Sequence, residues 1–188
     1  MNSGNTPSVK RPGQGPFLVP KDVPEAMVEF GRELSRTEER ARYSAQNQFE
    51  AAKYWRSVNL WLGGGTAAVS ALAGVLTFAS DDLRIWAGGA AVLAAIMAAV
   101  MTTIAPERRG SRAERAANEY LAVQTEARQH LLLHLTTAKE RDAEAVVRRL
   151  SSAADEINRV SDPPGKKARK RAAQNIEEGG QVYGVDET

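Results

Sequence analysis

The chain of 188 residues contains no cysteine and only two histidines. The lack of cysteine excludes disulfides, cysteine-ligated zinc, iron–sulfur clusters and a catalytic thiol. Two histidines are too few for a multi-histidine metal centre. The 25 basic and 23 acidic residues almost cancel, so the net charge gives no argument for nucleic acid, and we do not predict it as a partner.

Charged residues are also missing from two central stretches, residues 57–80 and 85–105, which are 24 and 21 residues long. Roughly 20 helical residues cross a bilayer core of about 30 Å. The linker between the stretches is short, so the second helix must return antiparallel to the first. We therefore predict an all-α membrane protein with a two-helix transmembrane hairpin. The alternative, two core helices of a soluble protein, would leave too little chain to cover both.

The segments on either side of this hairpin are charged and rich in alanine. In residues 22–56 and 112–160, apolar side chains recur at three- and four-residue steps, which predicts one long cytoplasmic helix in each segment. The second is too long for an isolated globular helix. Its length favours a coiled coil or a bundle with the first.

The two ends of the chain differ in composition. Residues 1–21 are rich in glycine, proline and serine, which predicts a disordered tail. Residues 22–187 are predicted to form one domain, whose last helix is a short basic helix over residues 165–178. Its basic cluster consists of Lys166, Lys167, Arg169, Lys170 and Arg171. Three interpretations of this cluster remain open: it binds anionic lipid, it binds a nucleotide or nucleic acid, or it is a solvated helix face.

Basic residues near the hairpin predict its orientation. Arg40, Arg42, Lys53 and Arg56 precede it, and Arg108, Arg109, Arg112 and Arg115 follow it, whereas its turn contains only Arg84. The positive-inside rule then places both termini in the cytoplasm. Tryptophans are enriched at membrane interfaces, so Trp55 and Trp61 are predicted anchors at the inner interface and Trp86 at the outer one.

The first apolar stretch carries a line of polar side chains. At 100° per residue, Asn59, Thr66, Ser70 and Thr77 fall on one helix face, flanked by Gly63. Polar groups avoid facing lipid, because their hydrogen-bonding groups have no partner there. Two interpretations remain open: the stripe is a helix-packing surface, or it lines a pore in an oligomer.

The second apolar stretch separates small from large side chains. Gly88, Ala91, Ala95 and Ala98 form a small-residue face, which predicts close helix packing. Large side chains predict a lipid-facing surface on the other side, at Trp86, Leu93, Met97, Val100 and Ile104. Together the two helices favour a tightly packed hairpin that forms homo-oligomers.

Motifs for catalysis are weak in this sequence. His130 and His134 are four residues apart, but residue 131 is leucine where the metalloprotease pattern has glutamate. The glycine run 63–65 lacks the Lys-Ser/Thr of a phosphate-binding loop. No serine, histidine and aspartate are arranged in a supporting context. We therefore predict a protein that is not an enzyme and needs no metal or cofactor.

Several short patterns recur in a known order along the chain. Around the hairpin these are Tyr54-Trp55, Arg56, Asn59, Trp61-Leu62, Ser70-Ala71 and Pro106. Further on they are residues 115–117, Tyr120-Leu121, residues 126–128, Pro163-Pro164, Ala172, Ile176, Gly180, Tyr183 and Asp186. In these features residues 40–187 resemble the SLATT family, small bacterial proteins with a two-helix membrane hairpin between cytoplasmic helices.

The resemblance implies a role in bacterial conflict systems. The family accompanies nucleotide-second-messenger synthetases and nucleotide-sensing domains, and it is regarded as a predicted pore-forming effector that damages the host inner membrane after phage infection. The resemblance therefore implies a location in the bacterial inner membrane. On this basis the chain would be an antiviral effector that oligomerises when such a synthetase or sensor triggers it. The alternative is a constitutive two-span anchor and coiled-coil scaffold that recruits a soluble partner.

Overall fold

The computed structural model describes residues 19, 23–79 and 81–177, and these residues contain helices and no strand. The five α-helices are α1 (Val28–Ala79), α2 (Arg84–Ile104), α3 (Pro106–Gln129), α4 (Glu140–Val160) and α5 (Lys166–Glu177). Single 3-10 turns at Glu25–Met27 and Asp81–Leu83 precede α1 and α2, and a π-helical turn, His130–His134, extends α3. The predicted all-helical class is therefore confirmed. The predicted tail, residues 1–21, lies almost entirely outside the described residues.

Helix α1 joins the charged segment to the first apolar stretch without a break. It has 52 residues, which corresponds to about 78 Å at 1.5 Å per residue. The sequence predicts separate helices over 22–56 and 57–80, but it contains no proline between them to interrupt the backbone hydrogen bonds. One continuous helix therefore connects the two halves of the molecule.

Helices α2 and α3 run back along α1 in succession. Arg56 and Glu114 form an ion pair at 2.6 Å, and farther along Gln124 Nε2 donates to Glu38 Oε1 at 2.9 Å, as expected for antiparallel helices. Between α2 and α3, Ala105 adopts the left-handed conformation with φ 47°. Pro106 follows it and begins α3 six residues before the predicted start at residue 112.

The predicted single helix over residues 112–160 is wrong in its middle. The chain turns after the π-helical turn, and Lys139 is extended before α4 begins at Glu140. Helix α4 then returns antiparallel to α3. Tyr120 donates to Asn158 Oδ1 at 2.6 Å, and Glu126 pairs with Arg149. The reversal lets the apolar stripes of both helices bury against α1 and against each other.

The first half of α1, α3 and α4 form a three-helix bundle around one apolar core. Its central side chains, Leu34, Tyr120, Leu131, Leu150 and Ile157, are almost completely buried. Helix α5 packs separately on α1, where Ala168 contacts a cluster of small residues that are Ala51, Ala52 and Ala113. Its bounds lie within the predicted 165–178, although residue 178 is outside the described part of the chain.

Candidate functional site

The second half of α1 and α2 form an apolar hairpin with little protein around it. Each of these helices contains a stretch that is apolar enough to be a candidate membrane span. Only 6% of this stretch is buried in the first helix, and only 11% in the second. Large side chains project outward along both helices, at Leu60, Trp61, Leu72, Val75, Phe78, Ile85, Trp86, Val92, Leu93 and Ile96. Core helices of a soluble protein would be mostly buried. Both helices are long and apolar enough to cross a membrane.

The two helices of the hairpin meet through small side chains. Ala73 in α1 and Ala87 and Ala94 in α2 are at most 7% exposed. Gly63 lies beside Met101, where an added Cβ would be 3.4 Å from the methionine Cε. Gly65 lies closer still to Met97, with a corresponding distance of 3.0 Å. Met97 therefore packs over α1, which corrects its predicted lipid-facing position.

The predicted small-residue face of α2 is not the surface that contacts α1. The residues of the predicted face are all exposed: Gly88, Ala91, Ala95 and Ala98. The buried and half-buried residues of α2 precede them by one position, at Ala87, Ala90 and Ala94. One residue rotates the helix face by about 100°. The prediction that this face packs closely on a neighbouring helix is therefore wrong for the α1–α2 contact within one chain. Contact with a second chain stays a prediction.

The polar stripe of α1 lies beside the α1–α2 contact. The hydroxyls of Thr66 and Thr77 donate to the carbonyl oxygens four residues earlier, those of Leu62 and Ala73, at 2.7 and 2.8 Å. These bonds satisfy the hydroxyl donors within their own helix. Ser70 is exposed on the same side.

Within the polar stripe, Asn59 has a side-chain oxygen that lacks a hydrogen bond in the described part of the chain. Its Oδ1 is buried and has no hydrogen-bond partner among the described residues. It lines an open groove of about 620 Å³ together with Thr66, Ala67, Ala98 and Thr102. This groove brings the polar stripe of α1 and the small-residue face of α2 onto one side of the hairpin.

The opposite side of the hairpin carries larger side chains. Helical periodicity places Leu72 there in α1 and Leu93 and Val100 in α2, and all three are exposed. The hairpin therefore has a face of Gly, Ala, Ser and Thr and a face of bulky aliphatic residues. We call these the small-residue surface and the bulky surface. The small-residue surface contains Gly63, Ala67, Ser70, Gly74, Ala91, Ala95, Ala98 and Thr102.

The three tryptophans occupy different surroundings. Trp61 and Trp86 are 80% and 72% exposed, so their rings project away from the protein as interface anchors must. Trp55 is half-buried instead, with its ring 5.3 Å from that of Tyr54. The Arg109 guanidinium lies 5.1 Å from the centre of the Trp55 ring. The surroundings of Trp55 therefore favour a contact within the protein over the predicted anchoring role.

The predicted basic cluster of α5 divides into two parts. Lys166 and Lys167 line a groove between α5, α1 and α3, whereas Lys170 and Arg171 are exposed outside it. Arg169 uses its Nε to donate to the carbonyl oxygen of Pro164 at 3.1 Å. The cluster is therefore not one uniform charged face.

The two histidines lie at the far end of the bundle. Their ring centres are 5.2 Å apart. Burial, and then the proximity of His134, lower the pKa of His130 below its usual value of 6.5, although Glu126 opposes this shift. No group of three or more potential metal ligands occurs among the described residues.

No family model, curated protein or solved structure matches this chain. The class of the protein is therefore described by its fold alone. It is an all-helical chain with two potential membrane-spanning helices joined to a helical bundle.

Proposed function

We propose that the protein is an inner-membrane effector of a bacterial antiviral system. Its hairpin spans the membrane and associates with other copies through the small-residue surface. A nucleotide-signalling synthetase or sensor triggers the cytoplasmic bundle, and the assembled hairpins then form a pore or disrupt the membrane. The resemblance to the SLATT family supports the antiviral role, and the basic residues that flank the hairpin support cytoplasmic termini.

The observation that carries this proposal is the asymmetry of the hairpin. On the small-residue surface Ser70, Gly74, Ala91 and Ala95 are all exposed, whereas Leu72, Leu93 and Val100 occupy the opposite side. Small side chains at these positions contribute nothing to packing within one chain. In membranes such residues permit close approach of helices, so a second copy explains their presence. A simple lipid anchor has no need of this surface.

The polar stripe suits two successive states of such an assembly. In a closed state, the threonine hydroxyls are already satisfied by their own helix, so the stripe can pack against a second hairpin without loss. In an open state, the unpartnered Asn59 oxygen and the exposed Ser70 hydroxyl can hydrogen-bond to water. The same surface therefore serves as the packing surface and then as the pore wall.

Added bulk on the small-residue surface tests the proposal. Ser70→Leu and Gly74→Leu should abolish depolarisation and killing, because leucine prevents close approach of the hairpins. Gly89→Leu is the matched control, since Gly89 lies toward the bulky surface and its added Cβ also meets nothing within 4 Å. The measurement is membrane potential, by voltage-sensitive dye, with viability counts in cells that co-express the neighbouring genes. Membrane fractionation shows that each variant inserts.

Two results would contradict the proposal. Normal killing by inserted Ser70→Leu and Gly74→Leu proteins would exclude the small-residue surface as the pore wall. Full function after replacement of the hairpin by an unrelated two-span anchor would favour the scaffold instead. That scaffold would recruit its partner through the bundle alone.

A further inference from the structure

A groove lies where the bundle meets the hairpin, on the side covered by α5. It has a volume of about 330 Å³, which is in the range of small-ligand sites. Its walls come from α1, α3, the linker before α5 and the first turn of α5. The residues that matter for its chemistry are Trp55, Arg109, Asp162, Lys166 and Lys167.

Most of the charged residues that line the groove are cations. Arg109 comes from α3 and the two lysines from α5, so cations approach it from two elements. Asp162 supplies the opposing carboxylate, and it is exposed. Among the described residues no carboxylate forms an ion pair with Lys166 or Lys167, so none of these carboxylates competes with an anion for their ammonium groups.

Several contacts hold the groove in shape without a ligand. Arg109 donates from Nε to the carbonyl oxygen of Ile104 at 3.0 Å while its guanidinium rests over Trp55. Gln48, only 4% exposed, donates to the carbonyl oxygen of Asp162 at 3.1 Å and so fixes the linker. A cation fixed before binding loses less conformational entropy when the anion arrives.

The position of the groove narrows the chemistry of its ligand. Ile104, to which Arg109 is tied, is the last residue of α2, so the groove lies next to the end of an apolar helix of about 32 Å. Arginine and lysine together are the usual recognition set for phosphate. We propose that this groove binds the phosphate group of a small anionic ligand, either a lipid headgroup or a free phosphate compound.

The proposal does not rest on pore formation, because an anchor or scaffold could carry the same site. It assigns different roles to residues of one helix: Lys166 and Lys167 bind phosphate, whereas Lys170 and Arg171 do not. These pairs carry equal charge and lie on the same short helix. They therefore provide a test and its matched control.

The experiment uses the full chain with Trp61→Phe and Trp86→Phe, which leaves Trp55 as its only tryptophan. The protein in neutral detergent is titrated with dioctanoylphosphatidylglycerol or with inorganic pyrophosphate, and Trp55 fluorescence reports binding. Saturation by the lipid alone assigns a headgroup, and saturation by pyrophosphate assigns a free phosphate compound. In either case Lys166→Gln/Lys167→Gln should raise the Kd at least about tenfold. Lys170→Gln/Arg171→Gln should change it less than about twofold.

Three results would overturn the proposal. One is the absence of saturation by both probes. Another is an equal rise in Kd for both double variants, which would indicate non-specific attraction of anions to basic residues. The third is a normal Kd for Lys166→Gln/Lys167→Gln. All four substituted side chains are exposed, and circular dichroism checks that the helices are retained.

Discussion

The bundle and the apolar hairpin share α1, yet they place their large side chains in opposite ways. In the bundle, Leu34 and Leu150 are 1% exposed and fill the space between helices. In the hairpin, Leu72 and Leu93 are half or more exposed, and the contact between the helices is formed by alanine and glycine together with Met97 and Met101. Large apolar side chains must leave water in the bundle, whereas at the membrane location that we propose for the hairpin, lipid would solvate them as well as protein does. One helix can therefore suit two surroundings when its side-chain sizes are distributed differently along its length.

Polar groups show the same contrast. In the bundle they connect different helices, as Tyr120 does with Asn158 and Gln124 does with Glu38. Burial raises the pKa of Tyr120 above its usual value of 10.0, so its hydroxyl stays protonated and donates. In the hairpin, Thr66 donates back into its own helix. Polar contacts therefore set helix register in the bundle, and small side chains set helix distance in the hairpin.

Truncation of a large side chain should separate the two regions most strongly. Leu34→Ala should lower the free energy of unfolding by about 2–5 kcal/mol, because it leaves a cavity in the core. Leu72→Ala should change it by no more than about 0.5 kcal/mol, since surrounding detergent fills the space. Denaturation of the full chain in micelles, followed by circular dichroism, measures both. Equal losses would mean that Leu72 is part of a packed core.

Removal of one hydroxyl is a smaller test of the same contrast. Tyr120→Phe should cost about 1 kcal/mol, because it removes a 2.6 Å hydrogen bond between α3 and α4. Thr77→Val should have an effect below about 0.5 kcal/mol, since its bond lies within one helix. The same unfolding measurement applies. A larger cost for Thr77→Val would show that this hydroxyl connects separate helices.

The smallest expected effect concerns pH and only the bundle. The lowered pKa of His130 means that the unfolded chain takes up a proton more readily than the folded protein as pH falls through 6.5. Stability should therefore decrease between pH 7.5 and 5.5, and His130→Gln should make this decrease shallower. Thermal unfolding at both pH values measures the difference. Identical pH dependence in the two proteins would exclude His130 as a contributor.

Some features were predictable because their signals are local. Uncharged runs of 24 and 21 residues predicted two long apolar helices, and Pro163-Pro164 predicted the break before α5. The reversal between α3 and α4 has no such signal. Neither glycine nor proline occurs in residues 130–140. The β-branched pair Thr136-Thr137 is only a weak signal for the end of a helix. The apolar stripe continues on both sides of the turn, so its periodicity resembles that of one long helix.

The candidate sites were partly predictable for the same reason. The stripe through Asn59 and Thr66 follows from helical periodicity, as does the small-residue face of α2. Helical periodicity does not predict which face of α2 contacts α1, because a step of one residue rotates the contact by about 100°. The groove was also beyond prediction. Arg109 and Lys166 are 57 positions apart, and no local pattern relates them.

The sequence by itself determined the all-helical class, the two long apolar segments and the residues that share each helix face, because these depend on neighbours within a few positions. The tertiary structure alone decided that α4 returns along α3, that two small-residue stripes share one side of the hairpin, and that cations of α3 and α5 meet beside Trp55. Each of these depends on how helices pack against one another. Packing is set by contacts between residues far apart in the chain, which no local pattern records.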